Sequence, residues 1–398
     1  MIFLADVAII LSLLYSFVVL LFALGVVQPR KGKNTTRPKV SVIIAARNEE
    51  DNIGNILQDL VYQTYPPDLY EVIVANDGSS DATAEEVERF SLAHDNVRHV
   101  HVTHVPPGYS PKKYALDCAV RHSQHEIILT TDADCRVGSR WIESMVSFFT
   151  PKVGFVIGFS QFGKKGVKQN LLERLQAFDF MQLMGAAAGT CNLGYPLAAT
   201  GQNLGYRRRA FQRVGGFKKV AHRVSGDDVL LLQLIRKQTN FKAIFAADPA
   251  SFAVSQPQPD LRSLLNQRKR WASNGSYQLH LNIPFFLYLL LVFLNSFVLL
   301  IGLPLAFLTG IATTPLLLCL AAKASAELLF AMLNAKAFNR MDLLKYFPVW
   351  FFVQVPYIVS MGILGSLGNF SWKERKHSQN LNGLNSAAHR YFWQRGKK

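Results

Sequence analysis

The sequence predicts an α/β domain on a mostly parallel central sheet, attached to α-helical membrane segments. Three observations predict it. Residues 7–27, VAIILSLLYSFVVLLFALGVV, carry no charge. Between residue 38 and about residue 275, short apolar runs alternate with stretches of helical spacing. Three further long apolar runs follow at 283–311, 314–334 and 346–367.

Bulk composition agrees. The 398-residue chain is 49% hydrophobic yet has a formal net charge of +16. That pairing suits a membrane protein whose cytoplasmic parts gather Lys and Arg. One basic cluster runs Arg207, Arg208, Arg209, Arg213, Lys218, Lys219 and Arg223. Neither aromatic interleaving nor a nucleic-acid motif accompanies it, so no nucleic-acid partner is expected and the cluster reads as a lipid-facing cytoplasmic surface. The cysteines Cys118, Cys135, Cys191 and Cys319 are scattered without a CxxC pair, which indicates neither a zinc site nor a disulfide framework.

Residues 1–29 form an N-terminal anchor. A span needs roughly 20 apolar residues, and this run has them. A signal peptide would place its charges before a shorter apolar region. Here Arg30, Lys31, Lys33, Arg37 and Lys39 follow instead, which puts the N-terminus outside and residue 30 onward in the cytoplasm. Residues 38–257 form the α/β domain. KVSVIIAARNEE is an apolar strand that ends in polar residues, and NIGNILQDLVYQ continues it with helical spacing. EVIVANDGSSDATAEEVERF repeats the pattern: a buried strand, an Asp-Gly turn, and a helix capped by Ser80 or Asp81. HEIILTTDADC is a third buried strand. NLLERLQAFDFMQLM, residues 170–184, fits either a helix on the membrane surface or one facing the core.

Residues 258–280 carry QRKRW on a helix lying at the membrane surface, and residues 281–367 hold the three apolar runs. Lys323 and Glu327 lie four apart on one face of the middle run, either lining a pathway or forming an ion pair that holds helices together. The basic tail, 368–398, raises a conflict. Three full spans would put it outside, against the charge rule. Pro348 and Pro356 therefore suggest a last segment that is broken or re-entrant, with the tail in the cytoplasm.

Ligands of an open parallel sheet bind beyond the carboxyl ends of its strands. Asp77 directly follows VIVAN, and Asp132 and Asp134 follow IILTT. Asp227 and Asp228 precede the apolar run VLLLQLI. Two carboxylates one residue apart at a strand end suit a hard divalent cation such as Mg²⁺ or Mn²⁺, which commonly shares a substrate diphosphate. Asp77-Gly78 alone would be a turn, and Asp227-Asp228 alone a helix start.

Taken together, VSVIIAARNEE, NDGSSD, PKKYAL, TDADC, ATGQNLGYRR, GGF, GDD and QRKRW occur in this order. The set resembles family 2 glycosyltransferases of the GT-A fold, in the membrane-embedded branch with a Q-x-x-R-W motif. Polysaccharide synthases and ceramide glucosyltransferases share this arrangement. The resemblance covers residues 40–271 and implies a Rossmann-like, mostly parallel sheet in a cytoplasmic domain. It implies that Ala45, Arg47, Glu49 and Asp77 line a nucleotide pocket, with Lys113 near the base or diphosphate. Asp132 would contact the nucleotide and Asp134 hold the metal. Asp228 would be the catalytic base, in a pair that reads Asp227-Asp228 where the family usually has Glu-Asp. Gly201, Gln202 and Asn203 would shape the acceptor site. Gln267, Arg270 and Trp271 share one helix face, with Arg270 clamping the diphosphate and Trp271 walling the acceptor. Arg268 and Lys269 would point away toward lipid headgroups.

The expected activity is an inverting transfer of a sugar from a nucleoside diphosphate sugar, UDP by resemblance, to a lipid hydroxyl at the inner membrane. A processive polysaccharide synthase and a non-catalytic scaffold that binds sugar nucleotides are the alternatives. Membrane lipids and a lipid or glycan acceptor are the partners implied, and the sequence points to no protein partner. The reading fails if Asp134 and Asp228 open onto different cavities.

Overall fold

The computed structural model of the chain describes residues 1–367, 370–372 and 375–377. α1 (Ile2–Val26) opens it. The alternating part follows as β1 (Val40–Ala46), α2 (Ile53–Val61), β2 (Tyr70–Asn76), α3 (Thr83–Ala93), β3 (Val97–His101), α4 (Pro111–His122) and β4 (Ile127–Thr130). Next come β5 (Arg136–Val137), α5 (Trp141–Ser147), β6 (Val153–Gly158), β7 (Ser160–Phe162) and α6 (Leu171–Asn192). β8 (Leu204–Arg207), α7 (Arg208–Val214), α8 (Val229–Gln238), β9 (Lys242–Ala246) and β10 (Ala253–Ser255) complete this part. α9 (Leu261–Ala272), α10 (Gln278–Leu281), α11 (Ile283–Thr309), α12 (Thr313–Ala337) and α13 (Phe347–Leu367) follow.

The main sheet runs β3-β2-β1-β4-β8-β6-β9. β1 pairs parallel with both β2 and β4, while β8 is antiparallel to both of its neighbours. The predicted mostly parallel α/β architecture is therefore observed. Strand order reverses at β1, which leaves a crevice beyond the carboxyl ends of β1 and β4. β1 and β2 are buried on both faces, which is why they read as nearly unbroken apolar runs. Ile43, Ile73 and Ile128 enter one core, and Val42, Val72 and Leu129 enter the other. A second, three-stranded sheet, β5-β10-β7, braces the segment just after Asp134.

Several local expectations need correction. Ala82, not Ser80 or Asp81, is the N-cap residue of α3, although Asp81 still accepts from the Thr83 N–H at 3.1 Å. The arginine cluster does not form a lipid-facing surface throughout. Arg207 donates to Val153 O at 2.8 Å, Arg208 to His125 O at 2.9 Å, and Arg223 to Ser273 O at 2.5 Å. These three join loops and strands of the α/β part to one another and to the end of α9. α6 starts in a capping box formed by Asn170 and Glu173 and buries Phe178, Phe180, Met181 and Met184, so it faces the core.

Four helices among the described residues are long and apolar enough to cross a membrane. α1 crosses α6 at Gly25 and Gly189, and a Cβ on Gly189 would lie 2.4 Å from Phe22 O. Small residues at such a crossing let two backbones meet. Lys323 donates to Glu327 at 2.6 Å, Gln354 donates to the other Glu327 oxygen at 2.5 Å, and Tyr15 also bonds this carboxylate. The intramembrane charges thus tie α1, α12 and α13 together, as the ion-pair alternative expected. α13 is one continuous helix rather than a broken one. Pro348 is its second residue, where no helical N–H is missed, and Pro356 lies inside. Phe347 at one end packs on Phe178 of α6, and Gly365 near the other meets Ala272 of α9. Both ends of α13 therefore adjoin helices that cover the α/β part. Most of the basic tail lies outside the described residues.

Candidate active site

The crevice at the strand reversal widens into a cleft of about 1330 Å³. Local chemistry aims each wall residue into it. At the end of β2, the Asn76 side chain accepts from Ser79 N–H at 3.0 Å and closes a tight turn. Gly78 sits at φ +58°, which a residue with a Cβ rarely adopts. The carbonyls of Asp77 and Gly78 then hold the Arg47 guanidinium at 2.6 and 3.0 Å, just beyond β1. Ala45, Arg47, Glu49 and Asp77 all line the cleft.

Asp132 and Asp134 leave β4 into the same space. Asp134 has modest partners, with Cys135 Sγ at 3.7 Å and Ser255 Oγ donating at 3.3 Å. Burial, then repulsion from Asp132 and Glu49, pushes its carboxyl up to about 6. An all-oxygen donor set gathered against its own repulsion fits a hard divalent cation, so Asp134 with Asp132 would hold one.

Asp228 caps α8. Its Oδ1 accepts from Val229 N–H at 2.6 Å and its Oδ2 from Gly201 N–H at 2.8 Å. Burial and then Asp227 push its carboxyl up to about 6. Burial also works against ionisation of Asp227, but Lys112 and Lys113 outweigh it and hold that carboxyl below its usual range. Gly201 lies so close that a Cβ there would be 3.1 Å from Asp227 Oδ2. Thr131 donates to Gln202 O at 2.9 Å and fixes this loop to the end of β4.

Lys112, which sequence reasoning passed over, joins the two acidic groups. It donates to Asp132 at 2.7 Å and lies 3.3 Å from Asp227. Burial disfavours its charge, but Asp132 and Asp227 raise its pKa well above the ordinary lysine value. Lys113 does not enter the cleft. Fully buried, it donates to the carbonyls of Arg223 and Ser225 at 2.6 and 2.8 Å, and burial lowers it to about 8. The Lys-Lys pair at the start of α4 was the available signal. Two consecutive helical residues point about 100° apart, so only one could face the site.

Asn203 also lies outside the lining. Its amide donates to Phe159 O and Ser251 O at 2.8 and 2.7 Å and accepts from Trp141 Nε1 at 3.1 Å, a wholly structural set of contacts. On α9, Gln267, Arg270 and Trp271 line the cleft, together with Asn266 and Arg268. Arg270 lies within electrostatic reach of Asp227, Asp132 and Asp228. Arg268 does not turn toward headgroups. It is buried 2.9 Å from Asp179 of α6 and stacks over Trp271 at 4.3 Å. The structure thus brings Asp77, Asp132, Asp134, Asp227, Asp228, Gly201, Gln202 and Arg270 around one opening, and excludes Lys113 and Asn203.

A family model described as glycosyl transferase family 21 matches residues 4–370. The probable glycosyltransferase YdaM of Bacillus subtilis (strain 168) is 29% identical over 243 residues, 60% of this chain and 56% of that protein. A beta-monoglucosyldiacylglycerol synthase of Trichormus variabilis is 29% identical over 274 residues, 65% of this chain and 54% of that protein. The chain spans between half and two thirds of the length of these curated relatives. A solved structure, the mannosyltransferase PcManGT from Pyrobaculum calidifontis in complex with GDP-Man and Mn²⁺, superposes with a TM-score of 0.60 at 23% identity, covering 91% of this chain and 98% of that one. That likeness shows the fold, a GT-A-like core.

Proposed function

Because the chain belongs to glycosyl transferase family 21, we propose that it moves a sugar from a nucleoside diphosphate sugar, UDP-linked, to the hydroxyl of a membrane lipid, with inversion at the anomeric carbon. The observation that carries this reading is the single cleft. It starts at Asp77, Asp132, Asp134 and Asp228 and continues between the apolar helices α11 and α13. A soluble acceptor would need no such continuation. The diacylglycerol acceptor in the name of the Trichormus variabilis relative supports the same choice.

Asp228 takes the proton from the acceptor hydroxyl as its oxygen bonds to the anomeric carbon. The bond from that carbon to the diphosphate oxygen breaks on the opposite side, and nucleoside diphosphate leaves. Arg270 and Lys112 neutralise charge that builds on the leaving oxygens. Asp132 and Asp134 would hold a Mg²⁺ or Mn²⁺ ion, which when bound would supply Lewis-acid stabilisation of the same charge. Arg47 and Asp77 hold the nucleotide, and Trp271 gives the acceptor a flat wall. The domain works at the cytoplasmic face, where Arg30, Lys31 and Lys33 follow α1.

Purified protein in detergent, given radiolabelled UDP-sugars, Mn²⁺ and diacylglycerol or native lipid extract, should pass label into the organic phase. Label in a high-mass aqueous product would replace the lipid acceptor with a growing polysaccharide. Nucleotide binding without release of free nucleoside diphosphate would make the chain a sensor.

A further inference from the structure

Away from the cleft, a cluster of side chains joins the edge of the main sheet to a helix. β3 is that edge strand. Side chains of a strand alternate between its faces, so Val97, His99 and His101 share one. Val97 packs in the core with Val87 and Phe90 of α3, so this face looks onto α3. Glu88, next to Val87 on that helix, meets the two imidazoles there. Its Oε2 lies 3.3 Å from His99 Nδ1, and the ring centroids of His99 and His101 are 3.8 Å apart. One ligand atom from each of the three residues lies within 4.8 Å of the other two. None of the three lines the cleft.

The donor set selects the ion. Zinc bonds to nitrogen and oxygen of about 2.0–2.2 Å, at tetrahedral angles, hold neighbouring ligand atoms roughly 3.3 Å apart, the separation already present between Glu88 and His99. His101 is exposed, so its ring can turn to close the remaining gap. Imidazole nitrogen suits zinc-class ions, whereas the all-oxygen set at Asp132 and Asp134 suits Mg²⁺ or Mn²⁺. A plain ion pair with Glu88 would need a charged His99. The His99 side chain is only 4% exposed, and burial holds it below the usual imidazole range, which keeps it neutral with a lone pair to offer. No cysteine takes part, so the scattered cysteines have no bearing on this site.

We propose that Glu88, His99 and His101 bind a Zn²⁺ ion, with water completing its shell, and that the ion braces α3 against β3. The brace lies beside the turn that carries Asp77. His101 stands opposite Asn76 in the β2–β3 register, and Val102 N–H donates to Asn76 O at 2.9 Å. α3 begins at Thr83, whose Oγ1 accepts from the Glu49 N–H at 2.8 Å. Both elements held by the ion therefore lead directly to residues of the cleft wall.

The full chain, purified in detergent with any affinity tag removed, is titrated with Zn²⁺ against a chromophoric chelator, with excess Mg²⁺ present to occupy the carboxylates of the cleft. One Zn²⁺ should bind per chain, and saturation should raise Tm by several degrees. His101→Ala and Glu88→Gln change exposed side chains, so both should fold. Each should weaken Zn²⁺ binding at least about tenfold and abolish the rise in Tm. Asp134→Asn should leave both readouts unchanged. Absence of Zn²⁺ binding, or equal binding by the unaltered chain, His101→Ala and Glu88→Gln, overturns the site. Zinc lost with Asp134→Asn but kept by the other two variants also overturns it. Zinc bound through these residues without a rise in Tm overturns the brace.

Discussion

Asp228 caps a helix and is also the base of the proposed reaction, and these demands pull its pKa in opposite directions. The N–H groups of Val229 and Gly201 favour the ionised form, while burial and Asp227 favour the neutral one and prevail, leaving the carboxyl at about 6. A base must be ionised to accept a proton, so activity should be full above that value and fall as pH drops through it. Asp134 also lies at about 6 and must be ionised to hold a cation. The acid limb of kcat/KM should therefore be steeper than one proton at low metal. Saturating Mn²⁺ favours ionised Asp134 and should return the limb to a single-proton slope. A slope that ignores metal would remove Asp134 from the cation site. Asp228→Asn should lower kcat by about 10²- to 10⁴-fold with sugar-nucleotide binding nearly intact, as measured by calorimetry. Lys112→Met should cost about ten- to a hundredfold in kcat/KM, because Asp132 and Asp227 lose their shared counter-ion. An unchanged value would make Lys112 a bystander.

At the scale of elements, α9 and the loop before β8 show how a short motif divides its labour. α9 gives Gln267, Arg270 and Trp271 to the cleft, and Arg268, also at its wall, makes a buried pair with Asp179 on α6. Trp350 of α13 donates to the same Asp179 at 3.1 Å, so three helices meet at one carboxylate. Asp179→Ala would leave a buried guanidinium without its partner and should lower stability by about 3–5 kcal/mol, read as a fall in Tm. In the 201–203 run, Gly201 approaches the acids while Asn203 braces β6, α5 and the turn at Ser251. Asn203→Ala should lower stability by about 1–3 kcal/mol for the buried groups left unpaired, with KM for the donor unchanged. A selective loss of acceptor binding would instead return Asn203 to the site.

Across the whole molecule, the membrane helices and the α/β part are joined through backbone as well as side chains. Asn192 donates to Gly25 O at 3.0 Å beside the Gly25–Gly189 crossing. Gly189→Val puts branched carbons where Phe22 O already sits, so α1 should come away from α6. Limited proteolysis should then cut between α1 and β1 faster than in the unaltered protein, and unchanged cleavage would mean that the crossing yields easily.

The strands β1, β2 and β4 with the helices after the first two, the apolar spans, and the acids at the ends of β2 and β4 were legible in the sequence. These follow from local rules: a strand buried on both faces must be continuously apolar, a span must be long, and a parallel strand presents its chemistry at its carboxyl end. Which of Lys112 and Lys113 meets the carboxylates was not legible, nor the inward turn of Arg207, Arg208, Arg223 and Arg268, nor the antiparallel β8 between β4 and β6. Each depends on the phase of an element against partners far away in the chain. A helix turned by one residue keeps its composition, yet the rotation of about 100° exchanges a buried brace for a group in the cleft. Only packing of the complete fold fixes that rotation.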